Sequence, residues 1–424
     1  MQRLFLINKK ILLRLFWSVV IFSFVVWFIA LILEPQGKQL SLFFDRMHNF
    51  WADATNVTGM VVDNNPYFSK AKGSYPPLAY MFFYPLMLVS TTPIMTYSHG
   101  APYLLYYYQP LWTVLFVIGL IITMLFLFNI CISLFKNSRD FDVMMTGLGI
   151  CISYPVLYTI ERGNILLIAV LALSIFVFYY DSNCWWKKEI ALISLAIASG
   201  IKLSPAIFGS LLILNKDWKS AFRAVCYGLV FFVLPFFFFK NGIQNLPQMI
   251  NNVNYFLISY VADSNAMGTG LVTSYIKCVR FFINEDYDIT LKTYSIIRVL
   301  TYEVSIVLFL GIFHFREKWK AVLNITLILL ILPKVSLSYC AIYTIPLTVL
   351  FLKYCNDGDD RNLTIDNIIV LISLIMIFFV YRCPVSDFLN YNIAIPILTC
   401  IGVVYSIQAF VKSKHILPLE IFKR

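Results

Sequence analysis

The chain has 424 residues, of which 60% are hydrophobic and 13% charged, with a mean hydropathy of +0.78. Soluble domains carry about 25% charged residues, so a water-soluble fold is excluded, and the apolar runs are too long for barrel strands, which need about 10 alternating residues. Lys and Arg outnumber Asp and Glu by 33 to 22. No basic and aromatic nucleic-acid pattern accompanies that surplus, and the excess of cations on the inner side of membrane proteins accounts for it.

Basic residues Arg3, Lys9, Lys10 and Arg14 precede the first apolar run, Leu15–Leu33. That run is longer than a signal core and has no small-residue cleavage site, which predicts a retained first helix. A polar stretch follows from Glu34, and Tyr75-Pro76-Pro77 opens an apolar run to about Met95. Next come Leu111–Phe135, Val143–Tyr158, Ile165–Tyr180, Ile190–Ser199, Ala206–Leu214 and Ala224–Phe239. A second polar stretch begins at Lys240 and ends near Ile297. Val299–Phe315, Ala321–Leu332, Cys340–Leu352, Ile368–Val380 and Ile393–Val411 complete the set. Several runs fall short of the roughly 20 residues a span needs, which fits helices that break at depth where irregular backbone lines a cavity.

The expectation is an all-α polytopic membrane protein with one integral domain, 1–424, and about 12 transmembrane helices. It has two long outer loops, 34–110 with a re-entrant or surface helix and 240–297. Charge sets the orientation. Lys187-Lys188, Lys216/Lys219/Arg223, Arg316/Lys318/Lys320 and Lys412/Lys414 all fall inside if Gly200–Pro205 is the outer tip of a hairpin. Glu161–Asn164 is then outside and both termini are inside. Were 76–95 a full span, Lys136 and Arg139 would lie outside, but Asp140 and Asp142 beside them weaken that charge test.

Gly200-Ile201-Lys202-Leu203-Ser204-Pro205 carries the most information. A cation at membrane depth costs several kcal/mol, and a lysine at a helix break is well placed to hold a phosphate. The plain alternative is a snorkelling side chain. In the first loop, Phe43, Phe44, Phe50 and Trp51 would lay the segment on the membrane surface and bring Asp45, or as second choice Asp53, to the headgroup plane. A carboxylate there can take the proton from an attacking sugar hydroxyl. Arg162 can grip phosphate or sugar oxygens through its planar fork, or simply pair with Glu161. No CxxC pair occurs, and the four histidines lie in unlike places, so neither a metal site nor a cofactor is expected.

Together these segments resemble the GT-C membrane glycosyltransferases, and within them the polyprenyl-phosphate-mannose-dependent mannosyltransferases of glycosyltransferase family 87. The first segment is Asp45, Asn65-Pro66-Tyr67 and Tyr75-Pro76-Pro77-Leu78. The second is Gly163-Asn164, Lys187-Lys188 and the turn from Gly200 to Pro205. The third is Ser264-Asn265 with Gly268 to Gly270. The resemblance implies an inverting sugar transfer from a polyprenyl-phosphate donor to a glycolipid or glycan acceptor, on the outward face of a bacterial plasma membrane. It implies Asp45 as base, Lys202 and Arg162 at the donor phosphate, and Tyr75, Asn164, Asn265 and Tyr339 around the substrate. Members often carry a histidine in a serine-bearing stretch after a late proline. Here Pro333-Lys334-Val335-Ser336-Leu337-Ser338-Tyr339 has none, a departure at the sugar and acceptor pocket. The competing readings are a flippase for lipid-linked oligosaccharide, in which inverted repeats would be expected and none is visible, an envelope polysaccharide polymerase, or a structural subunit of an envelope assembly.

Overall fold

The computed structural model describes residues 9–33, 51–62, 65–69, 72–90, 94–98, 101–105, 109–135, 140–261, 268–334, 336–357, 364–380 and 390–413. Within these, α1 is Lys9–Leu33, α2 Ala52–Val62, α3 Pro77–Leu88, α4 Pro110–Ile132, α5 Asp140–Cys151, α6 Tyr154–Arg162, α7 Leu166–Tyr179, α8 Trp185–Ile201, α9 Ser210–Leu214 and α10 Trp218–Val233. Next are α11 Leu246–Val261, α12 Leu271–Phe282, α13 Leu291–Ile312, α14 Lys318–Ile331, α15 Thr344–Asp357, α16 Ile365–Phe378 and α17 Tyr391–Ser413. One antiparallel hairpin, β1 Ile94–Ser98 with β2 Ala101–Leu105, interrupts them and pairs Ile94 with Leu105.

Helix composition sorts centre from rim. α14 buries an unbroken row from Ala321 to Ile331, and α7 buries most of its length, so both lie in the middle of the bundle. α4 and α10 are just as apolar yet largely uncovered, with Ile118, Ile122, Phe126, Phe222, Val225 and Leu229 exposed. A helix that is apolar all round and not covered by protein needs lipid around it. Among the described residues, five helical stretches are long and apolar enough to cross a membrane: Pro110–Phe135, Trp218–Phe238, Leu291–Ile312, Ser338–Asn356 and Tyr391–Ser413. A sixth forms if Phe141–Cys151 and Tyr154–Arg162, bent by 41° to one another, count as a single span.

Ion pairs fix how the chain doubles back. Lys188 near the start of α8 pairs with Asp217 ahead of α10, so α8 and the segment after it form a hairpin whose tip is Lys202. Asp217 also caps α10 by accepting from the Ser220 N–H at 3.1 Å. At the same end Lys318 bonds Asp181 at 2.8 Å, and Arg223 and Tyr227 bond Glu189. Lys320 lies over the Tyr405 ring nearby. The basic clusters read from the sequence therefore gather at one end of the bundle, and the Lys202 tip lies at the other.

The segment 240–297, expected as a long polar loop, instead carries helices α11 and α12. It clamps the first loop. The Asn65 amide donates to the Lys240 carbonyl and to Asn245 Oδ1, both at 3.1 Å, and Asn252 donates to the Tyr67 and Gly73 carbonyls at 2.8 and 2.9 Å. Asparagine suits this task because its amide offers two donors to two carbonyls at once. The Asn65-Pro66-Tyr67 turn forms as read, with Asn65 Oδ1 accepting from the Tyr67 N–H. The run opened by Tyr75 is helical only as far as Leu88.

Candidate active site

Two chain segments meet at the far end of the bundle. α6 closes at Arg162 and is capped by Gly163 in the left-handed conformation, φ +63°. A glycine just past the last helical residue is the usual solution there, because it carries no Cβ to strain. Here the missing Cβ also admits a neighbour, since one built on Gly163 would lie 2.9 Å from Ala54 Cβ and 3.2 Å from Trp51 Cα. The start of α2 thus abuts the turn. The Trp51 N–H donates to the Glu161 carbonyl at 2.7 Å, and Trp51 itself takes φ +51°.

That contact sets Asp53 in the first turn of α2, where the helix dipole favours a carboxylate. Arg162 Nη2 donates to Asp53 Oδ1 at 2.6 Å. Asn164 Nδ2 donates to Asp53 Oδ2 at 2.7 Å, while Asn164 Oδ1 accepts from the Leu166 N–H at 2.9 Å and opens α7. The carboxylate is held from both sides and keeps lone pairs for a third partner, since an ionised carboxylate has about four acceptor positions. Arg162 pairs with Asp53, its neighbour in space.

Tyr75 leads into α3, where its N–H donates to the Tyr80 hydroxyl at 3.2 Å, and its phenol lies beside Asn164 and Tyr339. Burial, reinforced by the negative charge of Asp53, pushes its phenol well above the ordinary tyrosine range. It therefore stays protonated and able to donate at any working pH. Tyr339 belongs to the tight turn Ser338–Tyr343 that starts the Ser338–Asn356 span. On its other side, Lys202 Nζ sits 6.0 Å from the Tyr339 ring centre and 3.3 Å from Cys340 Sγ. α8 stops at Ile201, Lys202 is extended, and the chain resumes as a tight turn from Ser204, so the helix breaks at the lysine as the Gly-x-Lys-x-x-Pro pattern predicts. Among the described residues no carboxylate pairs with Lys202.

The later segment docks beside this turn. The Thr269 N–H donates to the Ser336 carbonyl at 2.6 Å, and the Thr269 and Ser336 hydroxyls lie 2.6 Å apart. Gly268 is required, because a Cβ would meet the Ser336 carbonyl oxygen at 2.7 Å. Arg298 donates to the Leu332 carbonyl at 3.1 Å and the Pro333 carbonyl at 3.5 Å, which holds the stretch leading to Tyr339. An apolar groove of about 380 Å³ between α3, α4 and α7 runs from Phe82, Pro85 and Ile122 up to Gly163 and Asn164. It joins the cluster to the lipid-facing side.

Of the residues singled out in the sequence, Asp53, Tyr75, Arg162, Asn164, Lys202 and Tyr339 come together. Asp45 and Asn265 lie outside the described residues. Cys340 and the role of Gly163 as the seat for α2 went unread. An Arg-Gly-Asn turn after an amphipathic helix signals Gly163 as a cap, but nothing in the local sequence signals Cys340.

The family model of glycosyltransferase family 87 matches residues 74–333, more than half of the chain. The chain belongs to glycosyltransferase family 87. It is thus a membrane glycosyltransferase. Tyr75, Arg162, Asn164 and Lys202 fall inside the matched region, and Asp53 and Tyr339 lie outside it and meet these residues through the fold. No protein of curated function shows detectable similarity to the chain.

Proposed function

We propose that this cluster transfers a hexose, mannose-like, from a polyprenyl-phosphate donor to a glycolipid or glycan acceptor, with inversion and with Asp53 as general base. The acceptor hydroxyl oxygen attacks the anomeric carbon and its proton passes to the Asp53 carboxylate. The bond from the anomeric carbon to the phosphate oxygen breaks, and its electron pair leaves with the phosphate. Arg162 and Lys202 meet the charge that grows there. Fixed cations in a water-poor site lower the barrier because they need no reorganisation as the charge forms. Arg162 is held in place by Asp53, so base and phosphate clamp share one rigid unit. Tyr75 and Asn164 bind sugar hydroxyls, and Tyr339 forms the wall between the two cations.

The observation that carries this reading is that Asp53 is held by both Arg162 and Asn164, with Tyr75 and Tyr339 beside them and Lys202 6.0 Å from the Tyr339 ring centre, so one carboxylate and two cations share a single cluster. A lipid-linked sugar is amphiphilic, and the apolar groove ending at Asn164 supports a lipid-borne donor. The gathering of basic residues at the opposite end supports an outward-facing site. The absence of a histidine between Pro333 and Tyr339 leaves sugar selection to the tyrosines and amides.

The test is sugar transfer by purified protein supplied with a panel of polyprenyl-phosphate sugars. Asp53→Asn should lower turnover by about 100-fold or more, the usual contribution of a general base, with folding intact. Asp45→Asn should retain activity. The reverse pattern would move the base to Asp45, and full activity in both variants would refute an aspartate base.

A further inference from the structure

At the end opposite the Asp53 cluster, α13, α14 and α17 enclose a second cavity of about 420 Å³. His314, Arg316, Lys320 and Lys412 line it, with Glu317 as the single acidic residue in its wall among the described residues. Glu317 is already engaged by Lys320 at 3.3 Å, and Lys320 Nζ is also fixed 4.8 Å from the Tyr405 ring centre. Arg316 and Lys412 have no carboxylate partner among the described residues. His314 is held in position by the Phe410 ring, packed edge to face at 5.1 Å, and by a 3.1 Å contact from Nδ1 to the Leu310 carbonyl. The cavity is therefore preorganised and carries a net positive charge.

Apolar surface leads directly to it. Val404, Ile407 and Val411 on α17 are exposed next to the lining residues Gln408 and Lys412, and Ile306 and Phe309 on α13 are exposed below His314. Residues three and four apart share a helix face, so Val404, Ile407 and Val411 form one apolar track that ends beside Lys412. A pocket of cations at the head of an exposed apolar track has the shape and charge of a single lipid molecule. We propose that this cavity binds the headgroup of an anionic phospholipid, with its acyl chains lying along α13 and α17. Basic pockets between membrane helices on the cation-rich side recognise such headgroups through the phosphate. A soluble phosphate compound would have no use for the track. The site is separate from the sugar-transfer cluster and does not depend on the function assigned to it.

The test uses purified full-length protein in neutral detergent and follows its melting temperature as lipid is added. Phosphatidylglycerol should give a saturable rise, and phosphatidylcholine and inorganic phosphate should give none. In Arg316→Gln/Lys412→Gln the half-saturating phosphatidylglycerol concentration should rise roughly 30-fold, the sum of two cations at an anionic headgroup. Lys187→Gln/Lys219→Gln removes the same charge elsewhere at this end and should keep wild-type affinity. Equal loss in both double variants would mean diffuse charge attraction, and unchanged affinity in the first would mean the pocket is not the site. A saturable rise with inorganic phosphate would mean a soluble anion is the ligand. Each of these three results overturns the proposal. A photoactivatable phosphatidylglycerol on the unmutated protein gives a check independent of variant folding. Label within 306–320 or 404–413 is expected, and label confined to other segments also refutes the site.

Discussion

Asp53 and Lys202 divide the labour of the cluster by how each is held. The carboxylate is fixed by two donors on opposite oxygens, while among the described residues the ammonium has a thiol and an aromatic face near it. A cation kept among such weak partners retains its attraction for an incoming anion. Lys202→Ala should raise the donor KM and cut turnover by about 100-fold or more, as for loss of one oxyanion-hole donor, with little change in acceptor KM. Small and equal effects on both substrates would reduce Lys202 to a snorkelling side chain. That the helix breaks at this lysine was legible because Gly200, Lys202 and Pro205 interrupt an apolar run. Which aspartate meets Arg162 was not. Asp45 and Asp53 lie in one aromatic stretch, and the seat against Gly163 is what brings Asp53 to Arg162.

At the level of elements, the site depends on turns. Gly163 lets α2 rest on the α6–α7 junction, and Gly163→Ala meets both a left-handed backbone, costing about 1–2 kcal/mol, and Ala54 Cβ at 2.9 Å. A lower melting temperature together with reduced sugar transfer is expected. A variant that melts lower but turns over normally would show that this contact supports the fold and not the placement of Asp53. The hairpin that presents Lys202 is closed at its base by Lys188 and Asp217. Burial alone would push the Asp217 carboxyl up, but the bonds from Lys188 and Ser220 outweigh it and hold it below the usual aspartate range. A lowered carboxyl pKa stabilises the fold above the unfolded value, near pH 4, and that stability is lost as pH falls through the folded value. The melting-temperature gap between wild type and Asp217→Asn should therefore be full at pH 7 and shrink in acid. A gap independent of pH would mean that the cap, not the charge, matters.

For the whole molecule, alternating helix directions and segregated charge make a topology that can be measured. A cysteine-free background carrying Gln244→Cys, on the turn that clamps the first loop, should react with a membrane-impermeant thiol reagent in intact cells. The same background with Lys219→Cys should react only after permeabilisation. Reaction of both in intact cells would contradict an outward site with an inward basic end. The same segregation separates the two cavities, so substitutions in the Arg316–Lys412 pocket should leave the donor KM unaltered.

The amino-acid sequence by itself determined that the chain lives in lipid, where most of its apolar helices run, where one of them breaks at Lys202, and which polar residues stand at helix junctions. These are local matters, decided by the run length of apolar side chains and by glycine and proline backbone geometry. Only the tertiary structure decided that Asp53 meets Arg162 and Asn164 across more than 100 residues of chain, that Tyr75 meets Tyr339, and that the 240–297 segment folds into helices that clamp the first loop. Such meetings arise from packing between distant elements, where a missing Cβ or a two-donor amide selects the neighbour, and neither leaves a periodic trace in the chain.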